Sequence, residues 1–526
     1  MFISIREGDS GKAAGRRVPP QGRSSLLVPR LPHQVPREVI EAKMLLLLFW
    51  SAALWAFTGP CAAQCLTKDD SSTAAGEGAR QALLKGQQEF GLDMLRTLVL
   101  GPGGSTVAPP PPPGPYPSYA KKVWFKRSEV DAVSNVFFSP YSTYYALLMT
   151  YFGAADGSTT ASTLRKALHM DDGEVKGDKL TAMQAFHLEK MFRTTVKAYS
   201  TMMPDAQNGT DNQKSSQGLG YELSVSNRLY FDKKEEIRPC LRKMLESEIQ
   251  NLDFENQPDA ARNDINTWVE METKGHIKDL IPDGGITANT NLVVVNAAYF
   301  KGLWASQFSP EHTVKEVFYE SRSKQTLVEM MHQKGNFNHL VSERLGAQVL
   351  ELPYTGETAS LVILLPPFAL PDGLERTVAQ LNVDALREAL APGSALARPL
   401  EVAIPKFSTE QRLDLKPTLT HLGLGSLFNE EADFSDFVGE DDLTKKNMTG
   451  PSSRRRIALD AAIHQARVDI DETGTEAAAA TALFSFRSSR PLEPTSFVAN
   501  HPFVFLIYDR VAQSILFAGV FRSPRG

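Results

Sequence analysis

Cysteine is scarce in this chain: three residues, Cys61, Cys65 and Cys240, in 526. That excludes a disulfide-stapled small scaffold and leaves the fold to be held by packing. Catalytic signatures are missing as well. There is no G-x-S-x-G nucleophile elbow, no H-E-x-x-H zinc helix and no G-x-x-x-x-G-K phosphate loop. The ten histidines are scattered without ligand spacing, so neither a metal nor another cofactor is expected. No charge of one sign dominates either. A net charge of −5 and a pI near 6.1 give no reason to expect nucleic acid as a partner. What remains is a large apolar budget, 42% hydrophobic residues, enough to bury an extensive core.

Long apolar runs are rare too, and the one near the N-terminus is short. Residues 1–43 are rich in Arg, Pro and Gly with little periodicity, as in a disordered extension or an over-long translation start. From Met44 the chain reads MLLLLFWSAALWAFTGPCAAQ. An uncharged stretch of about fifteen residues behind Arg37 and Lys43, ending in small residues, has the form of a secretory leader over 44–63, cut after Ala63. It is short for a bilayer span, which needs about 20 residues, so the mature chain is expected to be extracellular and unattached to membrane. Two sequons, Asn208-Gly209-Thr210 and Asn447-Met448-Thr449, fit that compartment as glycosylation sites. Cys65 and Cys240 then remain as a free pair, a single bridge or links to another chain, and the sequence leaves all three open.

The remainder, 64–526, is expected to be one domain with two inserts. Residues 101–119, GPGGSTVAPPPPPGPYPSY, form a proline-rich spacer of polyproline II type, and residues 204–220 a polar mobile loop. Apolar spacing of three and four predicts a helix from Ala79 to Leu98. Tyr144–Tyr151, apolar on most sides and opening after Ser139-Pro140, predicts a buried helix. A further helix is expected over Asn263–Thr273. Strands are expected at Tyr221–Val225, Leu229–Phe231, Leu292–Phe300, Leu361–Leu365, Ala466–Ile470 and Phe503–Ile507. Helices lead and strands follow without a βαβ rhythm, which is the pattern of an α+β protein with large, mainly antiparallel sheets. The acidic run Glu430-Glu431-Ala432-Asp433 reads as an exposed turn rather than a cation site. Lys445-Lys446 and Arg454-Arg455-Arg456 bracket the second sequon. They offer a patch for a sulfated glycan, or simply a solvated loop.

Between the last two predicted strands lies a segment unlike either neighbour. Gly474-Thr475-Glu476-Ala477-Ala478-Ala479-Ala480-Thr481 carries no large apolar side chain. Four alanines favour helix, yet Gly474 precedes them, Pro491 and Pro494 follow, and no amphipathic stripe surrounds them. Together with Asn135-Val136-Phe137-Phe138-Ser139-Pro140-Tyr141-Ser142, Asn296-Ala297-Ala298-Tyr299-Phe300-Lys301-Gly302-Leu303-Trp304, His501-Pro502-Phe503-Val504-Phe505 and Phe517-Ala518-Gly519, this segment stands in serpin order. The chain resembles the serpin superfamily from about residue 80 to 523, and the long insert before Tyr221 is similar to that of secreted arthropod members.

The resemblance implies the serpin fold, N-terminal helices on large sheets with an exposed reactive-centre loop, here 472–500. It also implies a monomeric inhibitor of serine proteases, not an enzyme, which traps its target as a covalent complex. After cleavage the hinge, Gly474 to Thr481, enters the main sheet as an extra strand. Thr475, Ala477, Ala479 and Thr481 would then face inward, and all are small enough for a packed interior. Ser139, Ser142, Asn296 and His464 correspond to the shutter beneath the sheet, and Trp304 to the breach where the loop enters. The family spacing puts the bait at Ser488, with Ser488–Ser489 as the bond. Arg487 beside it suits the acidic pocket of a trypsin-like protease, which favours Arg487–Ser488. Arg490 is blocked by Pro491. The alternative is a non-inhibitory serpin acting as carrier, chaperone or signalling ligand, but those members typically have bulky, charged or proline-containing hinges.

Overall fold

The computed structural model describes residues 76–101, 134–171, 175–202, 220–439, 456–472 and 495–524. Helices lead: α1 (Glu77–Leu100), α2 (Pro140–Gly153) behind the short β1 (Val136–Phe138), α3 (Thr159–Ala167) and α4 (Lys179–Met202). Then follow β2 (Tyr221–Asp232), α5 (Pro239–Met244), β3 (Ile249–Leu252), α6 (Pro258–Glu272) and β4 (Leu292–Gly302). Next come β5 (Thr313–Tyr319), β6 (Gln325–Ser342), β7 (Ala347–Pro353), β8 (Ala359–Leu365), α7 (Gly373–Gln380) and α8 (Val383–Leu390). The chain closes with β9 (Leu396–Pro405), β10 (Phe407–Asp414), α9 (Leu415–Leu419), β11 (Ala461–Ile470), β12 (Thr495–Val498), β13 (Phe503–Asp509) and β14 (Ser514–Phe521).

The strands form two sheets. One runs β1-β14-β13-β8-β7-β6-β9-β12, with β5 also paired to β6; the other runs β10-β11-β4-β2-β3. Pairing is antiparallel except for β11 with β4, β2 with β3, and β12 with β9. In α2 every residue is buried. Its sequence is apolar on most sides, and its Ser142 and Thr150 hydroxyls find partners, so it sits in the interior. Its first turn is fixed by Pro140 and by the Ser139 hydroxyl, which accepts a 3.1 Å bond from Ser142 N. The longer α1 crosses it at Gly91, where a Cβ would come within 2.5 Å of Pro140 Cβ.

The β4 strand separates two parts of the core. Leu292, Val294, Ala298 and Phe300 join the main cluster around α2, β13 and β14. Val293, Val295 and Ala297 join a smaller cluster closed by Ile265 and Val269 of α6. Strand periodicity thus makes β4 buried on both faces, which its continuous apolar run required.

Two expectations shift. Tyr221–Val225 and Leu229–Phe231 are one strand, β2, because Ser226-Asn227-Arg228 stay in register with β4 instead of turning. The α6 helix begins at Pro258, five residues ahead of Asn263, since proline is well placed at a helix start.

Candidate functional site

The loop between β11 and β12 joins the two sheets. Residues 473–494 lie outside the described residues, and with them the hinge Gly474–Thr481 and the bonds at Arg487, Ser488 and Ser489. Asn208, Asn447, Lys445, Lys446, Arg454 and Arg455 lie outside as well; Arg456 is described and exposed. What the structure shows is where the loop starts, where it ends and the seam beside it.

That seam is the β11–β4 pair, parallel over eight residues from Ala461↔Val293 to Val468↔Phe300. The direction of this pair leaves a specific opening. The chain leaving the end of β11 can fold back only antiparallel to β11. Because β4 runs parallel to β11, the returning chain is antiparallel to β4 too. Separating the two strands would therefore give it a complete ladder on both sides. Along the seam, fully buried alanines, Ala297, Ala298, Ala462 and Ala466, alternate with larger buried side chains, among them Val293, Val295, Tyr299, Phe300 and Val468.

One polar rung crosses the middle of the sheet. Asn296 on β4 stands opposite Asn227 on β2 and opposite His464 on β11. Asn296 Nδ2 donates to Asn227 Oδ1 at 2.8 Å, and the Ser142 hydroxyl donates to the same oxygen at 2.7 Å. Ser139 N donates to His464 Nε2 at 2.9 Å, and the Ser139 hydroxyl donates to Leu516 O at 2.7 Å. With Nε2 accepting, the imidazole proton sits on Nδ1 and is given to Asn296 Oδ1. Burial pushes the His464 pKa down to about 3, partly offset by that bond to Asn296, so the ring is neutral at physiological pH. The structure brings Ser139, Ser142, Asn296 and His464 together, all buried. It adds Asn227, which accepts both bonds that tie Asn296 and Ser142 to β2. In the sequence Asn227 sits between two apolar runs and looks like a turn residue; its partners are 69 and 85 positions away.

At the upper end of the seam Trp304 is buried, stacked on Tyr354 with ring centroids 4.7 Å apart. Its Nε1 donates to Asp471 O at 2.7 Å. Gly302 makes this possible, because a Cβ there would lie 2.4 Å from the Tyr354 ring. Glu472, the last described residue before the loop, is clamped more tightly. Its carboxylate accepts from Lys406 Nζ at 2.8 Å and from the Thr313 hydroxyl at 2.9 Å, while its carbonyl accepts from Phe308 N at 3.0 Å. Burial raises the Glu472 pKa, but the Lys406 and Thr313 bonds outweigh it and the net shift is downward. Glu472 is thus a fixed post from which the loop departs, a role that neighbouring residues in the sequence did not announce. Among the described residues no cluster of three or more His, Cys, Asp or Glu is placed to hold a metal.

Cys240, near the start of α5, is disulfide-bonded; its partner lies outside the described residues.

Comparison with known proteins agrees with this geometry. The Serpin (serine protease inhibitor) family model matches residues 122–524. Serine protease inhibitor 88Ea of Drosophila melanogaster is 40% identical over 406 residues, 74% of this chain and 86% of that protein. Human serpin B3 is 33% identical over 404 residues, 76% of this chain and 96% of that protein. Uncleaved ovalbumin superposes with a TM-score of 0.62 at 24% identity, covering 84% of this chain and 100% of that one. A Manduca sexta serpin-12 structure gives 0.61 at 20%, covering 83% and 98%, and like ovalbumin speaks for the fold. With a parallel seam beside the anchored residue from which the loop departs, and a family match across most of its length, the chain belongs to the serpins, inhibitors of serine proteases and not enzymes.

Proposed function

We propose that this chain is a secreted suicide-substrate inhibitor of trypsin-like serine proteases. The observation that carries the reading is the parallel β4–β11 seam, with the loop leaving directly from its upper end. A protease serine attacks the carbonyl carbon of Arg487, the Arg487–Ser488 amide bond breaks, and the Ser488 amine leaves with a proton. The chain up to Arg487 stays esterified to the enzyme. Freed at one end, it enters the seam from Glu472 downward and carries the protease with it. Distortion of the triad and oxyanion hole then stops deacylation, because hydrolysis depends on sub-ångström placement. The gain is large. A strand of roughly ten residues, at ~1 kcal/mol net per hydrogen bond, contributes on the order of 10 kcal/mol. The uncut state is therefore held by a kinetic barrier.

Arginine at 487 supports a trypsin-like target, while Ser488–Ser489 would suit an elastase- or chymotrypsin-like one. The leader pattern at 44–63 and the disulfide at Cys240 support an oxidising, extracellular compartment. If the leader is cut after Ala63, Cys65 is the cysteine left to pair with Cys240.

The test is incubation with a panel of trypsin-, elastase- and chymotrypsin-like proteases, then a denaturing gel and mass spectrometry of the released peptide. An SDS-resistant complex with trypsin-like enzymes and a fragment beginning at Ser488 is expected. A fragment beginning at Ser489 moves the bait to Ser488. Cleaved chain without complex across the panel overturns inhibition and leaves a carrier, chaperone or signalling role.

A further inference from the structure

One apolar feature plays no part in the seam. The turn between β8 and α7, Pro366-Pro367-Phe368-Ala369-Leu370-Pro371, holds two large side chains in solvent, Phe368 at 60% and Leu370 at 43% exposure. Beside them is a groove of about 450 Å³, walled by Tyr319, Phe368 and His501 and floored by Pro366 and Pro367. Phe368 meets Tyr319 edge to face at 5.1 Å and His501 at 5.2 Å. His501 is fixed in place by its Nε2–H, which donates to Pro366 O at 2.8 Å. Among the described residues none that is charged lines the groove, and Gln348 and Asn500 supply amide groups at its rim.

Grooves walled by aromatic rings with amide or hydroxyl donors at the rim bind polyproline II segments. Pyrrolidine rings pack on the aromatic faces and the exposed carbonyls accept the donors. This chain carries such a segment, Ala108-Pro109-Pro110-Pro111-Pro112-Pro113-Gly114-Pro115-Tyr116-Pro117, uncharged like the groove.

Both ends of the stretch that contains it are tied to elements that frame the groove. On one side Arg96, in the last turns of α1, donates to Leu381 O just past α7. At the other end of α7, Gly373 packs against Pro366 and Leu370. On the far side Asn135 Nδ2 donates to Ser523 O at 2.8 Å, Ser523 hydrogen-bonds Glu320, and Glu320 follows Tyr319. Arg522 also reaches Glu375 of α7 at 3.0 Å. Ten residues in this conformation extend about 31 Å, and residues 102–133 leave ample slack for them to lie across the groove.

We propose that the groove of Tyr319, Phe368 and His501 is the docking site for this chain's own proline-rich segment, residues 108–117. The polyproline stretch is then an intramolecular strap over the turn between β8 and α7 rather than a solvated spacer.

The test uses the full chain with Tyr116 replaced by photoreactive p-benzoylphenylalanine. Illumination is expected to cross-link it to peptide 366–371 of the same molecule, and Phe368→Ala is expected to reduce the yield at least tenfold. Cross-linking to a second chain, to another site, or with undiminished yield in Phe368→Ala overturns the proposal. A second arm deletes residues 108–117 and titrates a synthetic peptide of residues 106–118. The peptide is expected to bind the deletion variant at least tenfold more tightly than the intact chain. Equal affinity would mean that the groove stays open to external proline-rich ligands, and absence of binding that it takes none; either outcome overturns the strap.

Discussion

The two sheets handle their central strands in opposite ways. In the nine-stranded sheet β13 and β14 are buried along their whole length, and their rings interlock. Phe137 stacks on Phe517 at 5.5 Å and on Phe505 at 5.8 Å, while a Cβ on Gly519 would lie 2.5 Å from the Phe505 ring. In the five-stranded sheet the β4–β11 seam mixes buried alanines with valines, Tyr299 and Phe300, and a buried polar rung ties it across its middle. Interdigitated rings cannot separate without opening cavities. A hydrogen-bonded rung can part and be satisfied again. On the proposed function, one sheet is permanent core and the other takes another strand.

The largest expected effect breaks the seam directly. Cleavage within residues 485–490 should stabilise the molecule by on the order of 10 kcal/mol, seen as a sharp rise in melting temperature. An unchanged melting curve after clean cleavage would show that no strand is added. Next in size, Thr475→Arg or Ala479→Pro should turn inhibitor into substrate. A buried unpaired arginine costs several kcal/mol, and a central-strand proline loses a ladder donor. Either variant retaining one-to-one inhibitory stoichiometry against a trypsin-like protease would show that these positions do not face inward.

A matched pair sharpens the contrast between the sheets. Leu506→Ala in β13 should cost about 2–5 kcal/mol of stability while leaving the stoichiometry of folded protein unchanged. His464→Ala leaves Asn296 Oδ1 and Ser139 N unpaired and should cost about 1–3 kcal/mol. Unlike Leu506→Ala, it should speed spontaneous inactivation, followed as loss of inhibitory activity over time. Equal inactivation rates for the two variants would remove the distinction between the sheets.

The last effect is in pH. His464 has a folded pKa of about 3, below the unfolded value of about 6.5. The unfolded chain therefore binds the extra proton first, and the stability the neutral ring contributes is complete above about pH 6.5. It is lost as pH falls toward 3, by at most ~1.4 kcal/mol per pH unit. Glu472, shifted downward, loses its contribution in the same direction but only in the carboxylate range. Denaturation midpoints between pH 7 and 5 should decline in the native chain and less steeply in His464→Gln, where burial still holds the His187, His339 and His501 pKa values down. A parallel decline in both would assign the effect elsewhere.

Much of the fold was legible because its signals are local. The strands β4, β8 and β13 are continuous apolar runs, and α1 carries helical spacing. Ser139, Ser142, Asn296, His464 and Trp304 were located by resemblance, and the structure brings the first four into one cluster. Asn227 was not visible, since a polar residue between apolar runs looks the same whether it turns the chain or pairs across a sheet. Glu472 looked like the first loop residue and is instead its anchor, because Lys406, Thr313 and Phe308 come from distant parts of the chain.

Side-chain size and hydrophobicity along the chain settled, by themselves, that a run of small residues with a glycine before it separates two buried strands. That follows from what each residue can bury or thread. Which strand lies beside β11, and in which direction it runs, was decided only by tertiary structure. His464 and Asn296 meet across 168 positions of sequence, and a contact of that separation is selected by packing of the whole sheet on α2 and α6, not by any local preference.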